Sequence, residues 1–155
     1  MEVKIMLIDD NKIDLFVHQR IIEKLEIDSK VMPFTSGISA IKYLNIVNDG
    51  IHNQSTFIPD IIFLDINMPE MNGFEFLKEY KNLRIIKDKP INIYMLSSST
   101  NFQDIKRVES EKICNGFINK PLTKEGLNKI ITTHKHPYLS QYDFLENDVD
   151  VESSF

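Results

Sequence analysis

Four runs of apolar residues in this chain end in polar side chains that could carry chemistry. The residues at these ends are Asp9 and Asp10, Asp65, Ser97, and Lys120. The run before Asp65, Ile61–Leu64, is continuous and stops abruptly, which is typical of a strand buried on both faces of a sheet. In a parallel sheet the four ends share one edge, where open α/β sheets bind their ligands. We therefore expect these groups to converge although they are far apart in sequence.

These residue types together favour phosphoryl chemistry with a divalent cation. Clustered carboxylates repel one another unless a cation joins them, and oxygen ligands with room for water suit Mg²⁺. A lysine ammonium and a hydroxyl beside them would stabilise the oxygens of a phosphoryl group. An aspartate in such a site is a competent nucleophile that forms an aspartyl phosphate.

Each of these residues could instead have a simpler structural role. Asp65 could begin a turn, and Lys120 could be a solvated lysine. Asp9, Asp10 and Ser97 could cap the helices that follow them. One such coincidence is common, but four at successive strand ends favour a shared site.

The hydrophobic pattern predicts the elements that position these groups. Strands are expected at 3–8, 30–34, 61–65, 91–96 and 113–118. Pro33 suits an edge strand. Helices are expected at about 12–26, after Gly37, after Gly73, around 102–108, and from 122 to about 136. This alternation indicates a doubly wound α/β fold with a five-stranded parallel sheet.

Two further patterns bear on this assignment. The first helix follows from the helical spacing of Ile13, Val17, Ile21 and Leu25. Residues 48–56 are polar and predict a loop longer than is usual between such elements. The purpose of that loop does not follow from its sequence.

Length and composition bound the class of protein. The 155 residues suffice for one domain with a substantial core. No run approaches the roughly 18 apolar residues of a membrane span, and the first residues lack the pattern of a secretion leader. Cys114 is the one cysteine, and its apolar surroundings favour a place in the core over a nucleophilic role. These features predict a cytoplasmic protein with no membrane partner.

The negative charge is concentrated at one end of the chain. The net charge is −5, and residues 137–155 hold five acids and no Lys or Arg. Removing those five from the 23 acids leaves 18, which equals the 18 Lys and Arg of residues 1–136. A neutral body with an acidic tail offers no electrostatic attraction for nucleic acid. We expect a domain of residues 1–136 and an acidic tail, 137–155, that is partly docked or disordered.

The polar strand ends resemble the motifs of the receiver domain of bacterial two-component response regulators. They are Ile-Asp-Asp at 8–10, Leu-Asp-Ile-Asn-Met-Pro at 64–69 with Gly73, Met-Leu-Ser at 95–97, and Gly-Phe-Ile-Asn-Lys-Pro at 116–121. The resemblance extends from about Lys4 to His134, and the motifs are specific jointly rather than singly. It implies a flavodoxin-like fold with strand order 2-1-3-4-5. Since about 20 residues after Pro137 are too few for an effector module, we expect a stand-alone, chemotaxis-regulator-like protein.

The resemblance implies a role for each matched residue of the reaction. Asp65 corresponds to the phosphoacceptor, and Lys120 to the lysine that pairs with the phosphoryl group. The Lys120–Pro121 bond is expected to be cis, as in the family. Ser97 matches the switch hydroxyl, where Thr is commoner, and Phe117 matches the switch aromatic, which is frequently Tyr.

The resemblance also implies a magnesium site. Asp10 would ligate Mg²⁺ directly, and Asp9 would assist through water. The backbone carbonyl of Asn67 and the carboxylate of Asp65 would complete the protein ligands. Mg²⁺ is thus the expected cofactor.

A receiver of this kind takes phosphate from a sensor histidine kinase or a histidine phosphotransfer protein. It is not an enzyme for other substrates, since it catalyses only its own phosphorylation and dephosphorylation. Two outputs fit the sequence equally well. One is a switch whose fourth helix, fifth strand and fifth helix form a surface that binds a partner protein, and the other is a phosphorelay shuttle.

Two other classes of protein share parts of this pattern. Phosphatases of the haloacid-dehalogenase type use an aspartyl nucleophile with a second carboxylate two residues later, where this chain has Asn67. Flavin carriers with the same topology need a loop rich in Ser, Thr and Gly after the first strand. Residues 9–12 are instead Asp-Asp-Asn-Lys, which argues against flavin binding.

Overall fold

Strands and helices alternate along the part of the chain that the computed structural model describes, residues 1–50, 53, 55–84, 89–98 and 101–136. The strands are β1 (Val3–Ile8), β2 (Ser29–Phe34), β3 (Ile61–Asp65), β4 (Asn92–Ser97) and β5 (Gly116–Asn119). The helices are α1 (Lys12–Glu23), α2 (Gly37–Asn48), α3 (Gly73–Tyr80), α4 (Phe102–Ser110) and α5 (Lys124–Lys135).

The five strands form one parallel sheet in the order β2-β1-β3-β4-β5. This confirms the predicted doubly wound, flavodoxin-like fold and its strand order. β2 lies at an edge of the sheet. Proline has no backbone N–H to donate to a neighbouring strand, and an edge strand, with a neighbour on one side only, tolerates this loss at Pro33. β1 and β3 are neighbours, with Ile8 paired to Leu64. The strand order reverses between them, which is where doubly wound sheets bind ligands.

β3 is the most deeply buried strand of this sheet. All five of its residues are buried, including Asp65 at its carboxyl end. Burying one large aliphatic or aromatic side chain contributes about 1.5–3 kcal/mol to stability. The four apolar residues before Asp65 therefore anchor this strand firmly, and they fix the position of the carboxylate that follows them.

The start of α1 leaves two acids available for other contacts. Asn11 caps the helix, since its Oδ1 accepts the N–H groups of Ile13 and Asp14 at 3.0 and 3.2 Å. Asp9 Oδ1 accepts the N–H of Asn11 at 2.9 Å, which shapes the turn between β1 and the helix. Neither Asp9 nor Asp10 is the cap of α1.

The helices α3 and α4 also begin with asparagine caps. Asn72 Oδ1 accepts the N–H of Glu75 at 2.9 Å, and the Glu75 carboxylate accepts the N–H of Asn72 at 2.8 Å, which completes a capping box. Asn101 caps α4 by accepting the N–H of Gln103 at 3.0 Å. Ser97 is therefore not the cap of α4.

The helix α1 has the predicted period but buries a different face. Ile13, Phe16 and Val17 are 73%, 57% and 37% exposed. The buried residues of this helix are Leu15, His18 and Ile22. A count of apolar residues does not detect this face, because one of its three members is a histidine.

The largest differences from the predicted element bounds are at the end of α1 and the start of β5. α1 ends at Glu23 rather than near residue 26, where Glu26 has a left-handed φ of 53° that a helix cannot contain. β5 begins at Gly116 rather than Ile113. Before it, Asn115 Oδ1 accepts the N–H of Ile93 at 2.9 Å, so a side chain takes the place of a regular strand hydrogen bond.

Cys114 packs partly buried against the hydrophobic core. Burial raises the pKa of its thiol to about 12, and the nearby Glu111 adds to the rise. The thiol is therefore protonated at neutral pH, in keeping with the predicted core position rather than a nucleophilic role.

A second compact unit begins at Thr123, and its described part contains α5. Thr123 Oγ1 caps this helix by accepting the N–H of Gly126 at 3.1 Å. Leu127 and Ile131 are its buried residues. The predicted acidic tail, 137–155, lies outside the described residues. None of the described helices combines the length and hydropathy that a bilayer-spanning segment needs.

Gly73 allows α3 to start in close contact with the end of β3. A Cβ at this position would lie 2.8 Å from Asp65 O and 2.7 Å from Met95 Cε. Because backbone atoms cannot move aside easily, we expect Gly73→Ala to lower the free energy of unfolding by about 1–3 kcal/mol. Urea unfolding followed by circular dichroism measures this change.

Gly116→Ala is the matched control for this substitution. A Cβ there would lie 3.4 Å from Tyr94 Cδ1, which is an ordinary contact. We expect no loss of stability, since alanine is at least as favourable as glycine within a strand. Equal losses in the two variants would contradict the packing argument.

Candidate functional site

Three carboxylates meet at the carboxyl ends of β1 and β3. Oxygens of Asp9, Asp10 and Asp65 lie within 4.8 Å of one another. Asp9 and Asp65 are only 2% and 5% exposed, whereas Asp10 is exposed. Their proximity follows from the sheet register, because Ile8 pairs with Leu64 and an aspartate follows each of them. The fold thus brings together three of the residues that the sequence singled out.

The ammonium of Lys120 lies among these carboxylates. Its Nζ is 2.7 Å from Asp9 Oδ2, 3.0 Å from Asp14 Oδ2 and 3.2 Å from Asp65 Oδ1, and 10% of its side chain is exposed. The backbone N–H of Lys120 donates to Ser97 O at 3.0 Å, which joins the residue after β5 to the end of β4. The peptide bond between Lys120 and Pro121 is cis.

Burial and neighbouring charges shift the pKa values of both Asp65 and Lys120. Burial raises the pKa of Asp65 to about 6, and the Asp9 carboxylate adds to the rise while Lys120 opposes it. Burial lowers the pKa of Lys120, but its close contacts with the Asp9 and Asp14 carboxylates and the charge of Asp65 outweigh that effect, so that this pKa is raised. At neutral pH the lysine is charged, and Asp65 is within about one unit of its own pKa.

The donor set fits a divalent cation. Three clustered carboxylates face a single ammonium, so negative charge is in excess. Asp9 Oδ2 is buried and makes no well-directed hydrogen bond within the described residues, although the Lys120 ammonium is close. Oxygen ligands of this kind, with Asp10 open to solvent, suit Mg²⁺ or a similar hard cation that keeps several waters.

The other predicted site residues lie on β4, on β5 and in the loop after β3. Ser97 is the last residue of β4 and is 1% exposed. Because Asp65 pairs with Leu96, Ser97 lies one residue beyond Asp65 along the sheet. Asn67 is exposed in the loop after β3. Phe117 on β5 is half-buried and packs against the hydrophobic core, so it is neither the fully buried strand residue nor an exposed one.

Sequence reasoning missed two residues of α1 at this site. Asp14 contacts the Lys120 ammonium, and His18, which is 1% exposed, accepts the N–H of Leu122 through Nε2 at 3.4 Å. They are four residues apart and so share one face of the helix. The sequence did contain a signal, namely an acid and a histidine four residues apart in the helix that follows Asp9 and Asp10. A search for apolar periodicity does not detect such a polar pair.

Comparison with known sequences bears on the family. The model of the response regulator receiver domain matches residues 5–132. Response regulator Rcp1 of Synechocystis sp. is 30% identical over 127 residues, which cover 82% of this chain and 82% of that protein. Hybrid signal transduction histidine kinase C of Dictyostelium discoideum is 32% identical over 83% of this chain, which spans only 10% of that much longer protein.

Comparison with solved structures bears on the fold. A two-component response regulator from Cytophaga hutchinsonii superposes with a TM-score of 0.75 at 29% identity, over 87% of this chain and 97% of that one. The Mn²⁺-bound form of Rcp1 superposes with a TM-score of 0.63 at 22% identity, over 97% of this chain and 99% of that one, which is a likeness of fold. The sequence match and the shared fold agree, and this chain belongs to the response regulator receiver domain family.

Proposed function

We propose that this receiver domain is controlled by phosphorylation of Asp65. The observation that carries the proposal is the Lys120 ammonium at 3.2 Å from Asp65 Oδ1, with oxygens of Asp9 and Asp10 within 4.8 Å of that carboxylate. The aspartate supplies a nucleophilic oxygen, and the lysine supplies a positive charge beside it. Family membership supports the same role, since receiver domains are signalling domains that exchange phosphate with histidine kinases or phosphotransfer proteins.

In the proposed transfer, a carboxylate oxygen of Asp65 attacks the phosphorus of a phosphohistidine on the donor protein. A P–O bond forms while the P–N bond breaks, and the ring nitrogen keeps the electron pair. Lys120 donates an N–H to a phosphoryl oxygen, and the Ser97 hydroxyl at the end of β4 donates another. Later attack by water on phosphorus releases phosphate and restores the carboxylate of Asp65.

The same carboxylates are proposed to hold a divalent cation. Asp10, Asp65 and the backbone carbonyl of Asn67 would ligate Mg²⁺, and Asp9 would contact it through water. Bound there, the ion would supply positive charge to the phosphoryl oxygens. The Mn²⁺-bound form of Rcp1, which has the same fold, supports a divalent cation as the cofactor class.

The output of the proposed switch would pass through α4 and β5. α4 buries only Val108, so much of its attachment comes from surface contacts. Arg107 lies over the ring of Phe74 at 3.9 Å, and Lys81 Nζ is 2.7 Å from a carboxylate oxygen of Glu111 beyond the end of α4. Contacts of this kind are individually weak, which allows the helix to change position at low cost.

A phosphorelay shuttle is the second candidate for the output. The exposed Asp10 beside Asp65 is compatible with it, because a second protein can reach the cluster from solvent. A phosphatase for other substrates is less favoured, since Asn67 stands where the second carboxylate of such enzymes would be.

We expect Asp65→Asn to abolish phosphorylation by acetyl phosphate with Mg²⁺, because the amide lacks the nucleophilic oxygen. Intact-mass measurement should show one phosphate adduct on the parent protein and none on the variant. Asp28→Asn, which changes an exposed aspartate before β2, should keep the adduct. A full adduct on Asp65→Asn would overturn the assignment of the acceptor.

We expect Mg²⁺ to raise the melting temperature of the parent protein, because it relieves repulsion among the carboxylates. Asp10→Ala should lose most of this increase while staying folded. Since burial raises the pKa of Asp65 to about 6, protons should compete with the ion, and the increase should shrink between pH 7 and pH 5. Equal Mg²⁺ stabilisation of Asp10→Ala and the parent would place the metal site elsewhere.

We expect Ser97→Ala to be phosphorylated but not to transmit the signal. In the switch hypothesis, the hydroxyl moves toward a phosphoryl oxygen, and Phe117 takes up the space that this movement leaves. The amide chemical shifts of α4 and β5 should therefore change on phosphorylation of the parent and not of the variant. Equal changes in both would rule out the hydroxyl as the coupling group.

A further inference from the structure

One face of α1 contacts the residues on both sides of Pro121. Asp14 reaches the Lys120 ammonium at 3.0 Å, and His18, one turn later, accepts the N–H of Leu122. The helix therefore holds the loop after β5 at two points. Neither residue belongs to the motifs that carry the resemblance to the family.

The ammonium of Lys120 has three N–H bonds in a tetrahedral arrangement, and three carboxylates surround it. Two of them, Asp9 and Asp14, are at 2.7 and 3.0 Å, and Asp65 is at 3.2 Å. The contact with Asp14 is a hydrogen bond, whereas Asp9 Oδ2 receives no well-directed one within the described residues. Asp14 therefore fixes the direction of one N–H bond, and the other two are left for the side where Asp9, Asp65 and any group attached to Asp65 lie.

His18 fixes the backbone from which Lys120 extends. Its side chain is buried, and burial lowers its pKa below the ordinary value, although Asp9 opposes this. A neutral imidazole accepts through one ring nitrogen, as the contact with Leu122 requires. The hydrogen bond is long at 3.4 Å, so its role is to locate the loop rather than to stabilise it strongly.

We propose that Asp14 is a positioning residue for phosphoryl transfer, which holds one N–H of Lys120 so that another is directed at the oxygens around Asp65. This inference rests on the proposed role of Asp65 as the phosphoacceptor. The alternative role for Asp14 is simple charge balance. Orientation needs an acceptor oxygen at this position, whereas charge balance needs a negative charge, and the two requirements are separable by substitution.

The variants Asp14→Asn and Asp14→Ala separate orientation from charge balance, because both remove the charge and only asparagine keeps an acceptor oxygen. The full chain is phosphorylated with acetyl phosphate at saturating Mg²⁺, and the adduct is followed by intact mass. An oxygen of Asp65 bonds to phosphorus, and acetate leaves with the electron pair. We expect Asp14→Ala to be about tenfold slower at saturating acetyl phosphate, and Asp14→Asn to stay within about twofold of the parent.

The half-saturating concentration of acetyl phosphate should shift equally in the two Asp14 variants, because both lose the same negative charge. Asp104→Ala, which removes an acid from the first turn of α4, is the control for charge loss in a helix start and should keep the parent rate. Equal rates for Asp14→Ala and Asp14→Asn, or a parent rate for Asp14→Ala, would overturn the inference.

A second readout does not depend on the reaction. In proton–nitrogen NMR spectra at low temperature, the Lys120 ammonium of the parent should give a resolved signal because carboxylates hold it. The signal should persist in Asp14→Asn and be lost or broadened in Asp14→Ala, and its survival in Asp14→Ala would also overturn the inference. Asp65→Asn tests the proposed role of Asp65 separately. Phosphorylation of that variant would refute the proposed acceptor, whereas a normal rate for Asp14→Ala would refute only the positioning role of Asp14.

Discussion

The ion pairing around Lys120 is the interaction on which the rest of this structure depends. An ammonium with 10% of its side chain exposed must be paired, and the partners come from three separate elements: Asp9 after β1, Asp65 at the end of β3, and Asp14 in α1. These elements must therefore bring their carboxylates to the same place in the fold. The buried strands achieve this because a shift of one residue in register would turn an aspartate to the opposite face of the sheet. The hydrophobic core thus serves as the frame for a cluster of charges.

The clustered carboxylates repel one another and lower the stability of the fold. Burial and the nearby Asp9 raise the pKa of Asp65 from 3.8 to about 6, so ionisation of this residue weakens the fold above about pH 6, and the cost is relieved as the pH falls. Three acids contact the one lysine, and Asp10 lies close to two of them. A divalent cation bound at the proposed site would relieve this repulsion and would make the domain more stable than it is without the ion. The stability that the repulsion removes from the free domain would then be recovered when the ion binds.

The sequence predicted most of the fold and the centre of the site, because both depend on strong local signals. Strand β3 and its terminal Asp65 were located to the residue, since a continuous apolar run that stops at an acid marks the end of a buried strand sharply. The buried face of α1 was not, because it includes His18 and its apolar residues Ile13 and Phe16 face solvent. The contact between Asp14 and Lys120 joins residues 106 positions apart, and only the completed sheet brings them together. Features that a local sequence pattern determines, such as the end of β3, could be predicted. Contacts that depend on tertiary packing, such as the one between Asp14 and Lys120, could not.

The enclosure of Lys120 has a consequence for ionic strength. Mobile ions screen charges that water can reach, and they act weakly on pairs that protein atoms surround. The contacts of Lys120 with Asp9 and Asp65 are enclosed by protein atoms, so salt screens them weakly. The charges of Asp10 and of Arg20, which lies over Phe16 on α1, are exposed to water and are screened. Added salt should thus leave the internal arrangement of the pocket nearly unchanged while altering how often a charged donor protein arrives beside it. Recognition of a partner and the proposed reaction at Asp65 would then respond to different properties of the solution.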